Sequence, residues 1–164
     1  MATANDKTSI LIVGCVDDHG KRLIERLERE PGFEVIGACG TYCAALHQVL
    51  RRRPDLVLMD TNTPRSDPFQ TAAVIRAISH RTRLLFCCDR PTDRRIEAVL
   101  TMKAHGLVCK TRPFAEVLAA IREVAAGGVY FRPSIADRLV IAADGIRLGT
   151  NDPTAEREED VDRS

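Results

Sequence analysis

The sequence predicts an α/β domain built on a doubly wound, five-stranded parallel sheet, followed by a C-terminal linker helix. Three observations predict it. Five short apolar runs alternate with amphipathic stretches between Ser9 and Ala126. The runs are continuously apolar, the pattern of strands covered on both faces rather than the alternation of a half-exposed sheet. Strand and helix patterns follow one another strictly, and that order gives parallel strands joined by crossover helices.

Ser9–Val13 (SILIV) reads as the first buried strand. Lys21–Glu30 is helical, with Leu23, Ile24 and Leu27 on one face, and Pro31-Gly32 breaks it. Phe33–Ala38 is the second strand. Tyr42–Arg53 is a helix ended by Pro54, and Asp55–Asp60 (DLVLMD) is the third strand. Pro68–Ile78 is the third helix and Arg83–Cys88 the fourth strand. Thr92–Ala104 is a helix with Ile96, Val99 and Leu100 inward, and Gly106–Cys109 a short fifth strand. Pro113–Ala126 starts with proline in its first turn and stops at Gly127-Gly128. A further short helix is expected from Pro133, with Ile135, Leu139 and Val140 on one side, ending near Gly145. The expected organisation is a disordered N-terminus over residues 1–8, a folded domain over 9–127, a linker with a short helix over 128–146, and an acidic, disordered tail over 147–164.

Apolar residues make up 45% of the 164, enough for a core of one domain. The formal net charge of +1 gives no global field that would draw the chain to nucleic acid or membrane. Charge is uneven, however: Asn151–Ser164 holds six acids against two arginines, a net of −4. Met1–Thr8 is polar and Ile10–Val13 is far too short for a signal-peptide core or a membrane span, so a cytoplasmic location is expected. Of the six cysteines none forms a CxxC pair, and reduced, buried thiols are the expectation.

In a doubly wound sheet ligands and chemistry gather at the carboxyl ends of the strands. Those ends are Gly14 and Cys15, Cys39, Asp60–Asn62, Cys88 and Asp89, and Lys110. Asp60 and Lys110 lie at ends that the fold brings close, so an ion pair between them is expected. The bland reading is a loop-capping aspartate and a solvated lysine. Asp17 and Asp18 either reach this crevice or cap the first helix at its positive end. Cys15, Cys88 and Cys109 fall near the same edge, and thiols around an aspartate are the raw material of a soft-metal or redox site. Against that reading, Cys87 and Cys109 sit within apolar strands as space-filling residues, and no metal-ligand spacing is present. Arg51–Arg53 suits the negative end of its helix. No phosphate loop, no Ser-His-Asp arrangement and no other catalytic set is visible, so no enzymatic activity is expected.

The stretch PDLVLMDTNTP (Pro54–Pro64) resembles the third strand and loop of bacterial response-regulator receivers, and HGLVCK (His105–Lys110) resembles their fifth strand with its lysine. EPGFEVIGACG (Glu30–Gly40) and Phe114–Val140 are similar to the NarL/LuxR (FixJ) subfamily. The resemblance implies a flavodoxin-like receiver in two-component signalling and transcription regulation. It implies Asp60 as phosphoacceptor from a histidine kinase, Lys110 against the phosphoryl oxygens, and a homodimer. It also implies Mg2+ bridging Asp60, the Asn62 carbonyl and an acidic pair after the first strand. The surface around Arg90, Arg94 and Arg95 lies near the output face of receivers and is the expected partner contact. DNA contact would fall to a helix-turn-helix domain, which these residues do not contain.

Three departures mark the chain as atypical. Gly14 and Cys15 match the acidic pair, Cys88 matches the Ser/Thr that bonds the phosphoryl group, and Leu107 matches the switch aromatic. A hard cation wants carboxylate oxygens, and a thiol is a weak donor. Two alternatives therefore stand beside the phosphorelay reading: a phosphorylation-independent interaction or small-ligand module, and a cysteine-based redox or metal sensor.

Overall fold

Apolar residues of both parities need cover when a strand is apolar throughout, and here helices supply it on both faces of one sheet. The computed structural model describes residues 6–15, 17–62 and 67–149. The strands are β1 (Thr8–Val13), β2 (Phe33–Cys39), β3 (Leu56–Asp60), β4 (Arg83–Cys88) and β5 (Gly106–Cys109). The helices between and after them are α1 (Asp18–Glu28), α2 (Tyr42–Arg52), α3 (Pro68–Ile78), α4 (Asp93–Thr101) and α5 (Phe114–Ala125). All strands are parallel, in the order β2-β1-β3-β4-β5.

Period-two alternation splits the core into two layers. Leu11, Val57, Met59, Phe86, Cys88 and Leu107 face α2, α3 and α4, which contribute Val49, Ile75, Ile96 and Val99. Ile10, Ile12, Leu58, Leu85, Cys87 and Val108 face α1 and α5, which contribute Leu27, Val117, Ile121 and Val124. The connections reverse between β1 and β3, and there the crevice opens at the carboxyl ends of the strands.

Four helices begin on a side-chain cap: Asp17, Thr41, Asp67 and Thr92 each accept a backbone N–H of the first turn. Each such cap contributes about 1 kcal/mol. The Asp17 cap starts α1 at Asp18, three residues before the apolar pattern suggests. Gly106 permits a close approach at the sheet edge. Leu107 donates to the Tyr130 carbonyl at 3.1 Å, and a Cβ on Gly106 would stand 2.4 Å from that oxygen.

The linker corrects an expectation. The helix predicted to run from Pro133 to near Gly145 is only α6 (Pro133–Ala136), and Leu139 and Val140 do not share its face. They belong to β6 (Leu139–Ala142), which pairs antiparallel with β7 (Gly145–Leu148). β-branched Val140 and Ile141 favour a strand, and Gly145 at φ +138 follows the two-residue turn that closes the hairpin. Arg138 then ties the hairpin to α4, donating twice to Asp93 at 2.9 and 2.7 Å. Ile135 enters the core, with Phe131, Leu139 and Leu148 packed beside it. The disorder expected over 1–8 and 147–164 falls outside the described residues, except at 6–8 and 147–149, where Thr8 opens β1 and Arg147 and Leu148 belong to β7. Among the described residues, no helix is long and apolar enough to cross a membrane.

Candidate functional site

Asp60 ends β3 and is only 2% exposed. Its register partner on β4 is Cys87, so both side chains project onto the α1/α5 face. Lys110 follows β5 two residues after Val108, which puts it on that face as well. The main chain fixes both ends: Thr61 donates to the Cys87 carbonyl at 2.8 Å, and Lys110 to the Cys88 carbonyl at 2.9 Å.

The side chains meet as the strand ends imply. Lys110 Nζ donates to Asp60 Oδ2 at 2.6 Å. It also lies 3.4 Å from Asp89 Oδ1 and 3.5 Å from Asp17 Oδ2. The other Asp60 oxygen accepts the Asn62 N–H at 2.9 Å, and the Asn62 amide donates to Asp89 at 2.5 Å. One ammonium thus serves three carboxylates. Burial works against the charge on Lys110. The Asp60 hydrogen bond and charge, with Asp89 and Asp17, outweigh it and hold the amine above the ordinary lysine range.

Asp17 does both things foreseen for it. One oxygen caps α1 through Gly20 N–H at 2.8 Å while the other faces Lys110. The Gly20 hydrogen bond first, and then Lys110, hold its carboxyl below the usual range despite some burial. Asp18 is exposed in the first turn of α1, at the positive end of that helix. Asp89 is the site residue the sequence reading left without a role; its place just past β4 was the available signal.

Cys88 lies in the other core layer, 0% exposed. Burial, with the neighbouring Cys109, pushes its thiol up to about 12. Leu107 is buried in the same layer. Arg90 just before α4 and Arg94 in its first turn are exposed, and Arg95 reaches back to the Arg90 carbonyl at 3.1 Å.

The grouping of cysteines expected from sequence is corrected. Cys15 does lie beside Asp60, but Cys88 and Cys109 do not, because β-strand parity sends Cys88 to the opposite face and Cys109 bonds the Asp89 carbonyl at 2.8 Å. Cys87 takes their place: its Sγ is 3.8 Å from Cys15 Sγ, with both buried. The hydrogen bond with Cys15 and complete burial hold the Cys87 thiol well above the ordinary range. Gly20 makes the fit around Cys15 close, since a Cβ there would stand 2.1 Å from the Cys15 carbonyl oxygen.

Receiver domains commonly bind Mg2+ at this end of the sheet, and one cluster of side chains here offers a different donor set. Among the described residues, the one cluster of three metal-capable side chains with ligand atoms within 4.8 Å of one another is Cys15, Asp60 and Cys87. Two of its three donors are soft sulfurs, whereas magnesium demands oxygens in near-octahedral array.

Comparison with known proteins agrees with this architecture. Residues 11–122 match the family model described as the response regulator receiver domain. The chain is 30% identical over 118 residues to BvgA, a positive transcription regulator of virulence factors in Bordetella pertussis, covering 71% of this chain and 56% of that protein. It therefore spans a little over half the length of that relative. Among solved structures, a LuxR-family two-component response regulator from Aurantimonas superposes with a TM-score of 0.74 at 24% identity, over 80% of this chain and 94% of that one. RcsB, solved as two dimers bound to two parallel DNAs, superposes with a TM-score of 0.68 at 17% identity, over 80% of this chain and 67% of that one. The chain belongs to the response regulator receiver domain family, and its relatives are transcription regulators of the LuxR/NarL type.

Proposed function

We propose that this receiver takes a phosphoryl group from a histidine kinase on Asp60 and regulates transcription through protein contacts made as a homodimer. The observation that carries the proposal is the buried pair of Asp60 and Lys110 at 2.6 Å at the carboxyl end of the sheet. Phosphoryl transfer needs a positioned acceptor oxygen and positive charge for the equatorial oxygens, and these two residues offer both. Arg90, Arg94 and Arg95 form the proposed partner surface, beside the α4 helix that Arg138 links to the hairpin. The RcsB dimers on DNA support the homodimer. DNA contact would belong to a helix-turn-helix domain outside these 164 residues. A cytoplasmic location goes with a kinase-fed role.

The second reading is an interaction module that works without phosphorylation. Cys88 favours it: the residue that would bond the phosphoryl group is a fully buried thiol in the other core layer.

Incubation with acetyl phosphate, with and without magnesium, separates the two by intact mass. A gain of one phosphoryl group, missing from Asp60→Asn, supports the switch. An unchanged mass under both conditions leaves the interaction module standing.

A further inference from the structure

We infer that Cys15, Cys87 and Asp60 form a binding site for a thiophilic divalent cation of the zinc type. This goes beyond the phosphoacceptor reading and does not depend on it.

Distance comes first. A tetrahedral zinc with Zn–S bonds of about 2.3 Å sets its two sulfurs about 3.8 Å apart. Cys15 Sγ and Cys87 Sγ stand 3.8 Å apart without a metal. The Asp60 carboxylate completes a set of ligand atoms all within 4.8 Å of one another. Two sulfurs and one oxygen are donors that zinc accepts and magnesium does not.

Charge comes second. Two thiolates, the Asp60 carboxylate, the Lys110 ammonium and a divalent cation sum to zero. On binding, each thiol releases one proton to solvent and the cation takes the place of both. The buried site keeps its net charge, so the cation brings no uncompensated charge into the core.

Support comes third. Metal-bound carboxylates are oriented by outer hydrogen bonds, and those on Asp60 include Lys110 on Oδ2 and the Asn62 N–H on Oδ1. Cys15 is held by the close packing of Gly20. Access is available too. A cavity of about 420 Å³ between α1 and the start of α5 is lined by Cys15, His19, Lys110 and Phe114, and it opens the Cys15 side of the cluster to solvent. On the phosphoacceptor reading, a cation held by Asp60 would compete with the phosphoryl group.

The test uses the reduced full chain, with no phosphodonor. Titration with Co2+ is read by thiolate-to-cobalt charge-transfer absorption, and Zn2+ then displaces the cobalt. The expected result is saturation at one ion per chain. Cys15→Ser and Cys87→Ser should each lose the band, whereas Cys88→Ala and Cys43→Ser should keep it. Asp60→Asn should keep the band and weaken binding by at least the roughly 10–100-fold seen for outer-shell changes. X-ray absorption of the zinc-loaded wild-type chain counts sulfur neighbours with no substitution, so a misfolded variant leaves the test intact. Two sulfurs at about 2.3 Å support the site. A zinc shell without sulfur, or a cobalt band that survives in both Cys15→Ser and Cys87→Ser, overturns it.

Discussion

Replacing Lys110 with methionine isolates what the pair with Asp60 contributes. Methionine keeps the length of the stem and removes the charge. Lys110 and Asp60 side chains are 8% and 4% exposed, with Nζ 2.6 Å from Oδ2. At an effective dielectric of about 20, unit charges at that distance attract by about 6 kcal/mol, and desolvation of both groups offsets part of it. Removing one partner of a buried pair costs about 3–5 kcal/mol, because the other charge stays buried. Asp60 keeps the hydrogen bond from Asn62, which places Lys110→Met near the lower end, about 3 kcal/mol. Asp60→Asn should cost less, about 1–2 kcal/mol: its lysine still has Asp89 and Asp17 at 3.4 and 3.5 Å, both half exposed. The double variant should therefore be more stable than the two losses added together, by about 1–3 kcal/mol of coupling. Urea unfolding with an unchanged m-value reads all three. A Lys110→Met loss under about 1 kcal/mol, or additive variants, would refute the claim that the Lys110 charge stabilises Asp60 in the fold.

The Asp17→Ala substitution should remove the α1 cap and cost about 1 kcal/mol. Its carboxyl is held below the ordinary value in the fold, so the contribution is present at neutral pH and disappears as pH falls through that lowered value; denaturant midpoints of wild type and variant should converge there. Gly20→Ala gains helix propensity of about 1 kcal/mol, yet its Cβ meets the Cys15 carbonyl at 2.1 Å. Since backbone lies in the way, a net loss of about 1–3 kcal/mol in thermal or urea unfolding is expected, and any gain in stability would contradict the packing. Asp93→Asn removes the charge that holds Arg138. Amide exchange should then rise in the hairpin over Leu139–Leu148 and stay unchanged in β1, β3 and β4, since the hairpin lies outside the five-stranded sheet.

Much of this was legible in the residues themselves. Five apolar runs bounded by Pro31-Gly32, Pro54 and Gly127-Gly128 determine the elements, because a run apolar at every position needs cover on both faces. The same runs place Asp60 and Lys110 at strand ends. The hairpin was legible too: Asp144-Gly145 between apolar stretches is a turn signal, whereas the helix expected from Pro133 uses Gly145 only as its stop. Tertiary structure alone decided which thiol stands beside Asp60. Cys87 and Cys88 are neighbours in one apolar strand, equally acceptable to either layer by composition. A shift of one residue in the pairing of β4 with β3 would exchange them, because side chains alternate between faces. The register that sets Asp60 beside Cys87 is fixed by the packing of whole layers, with Phe86 turned toward α3 and Leu85 toward α5. No local signal in RLLFCC carries that choice.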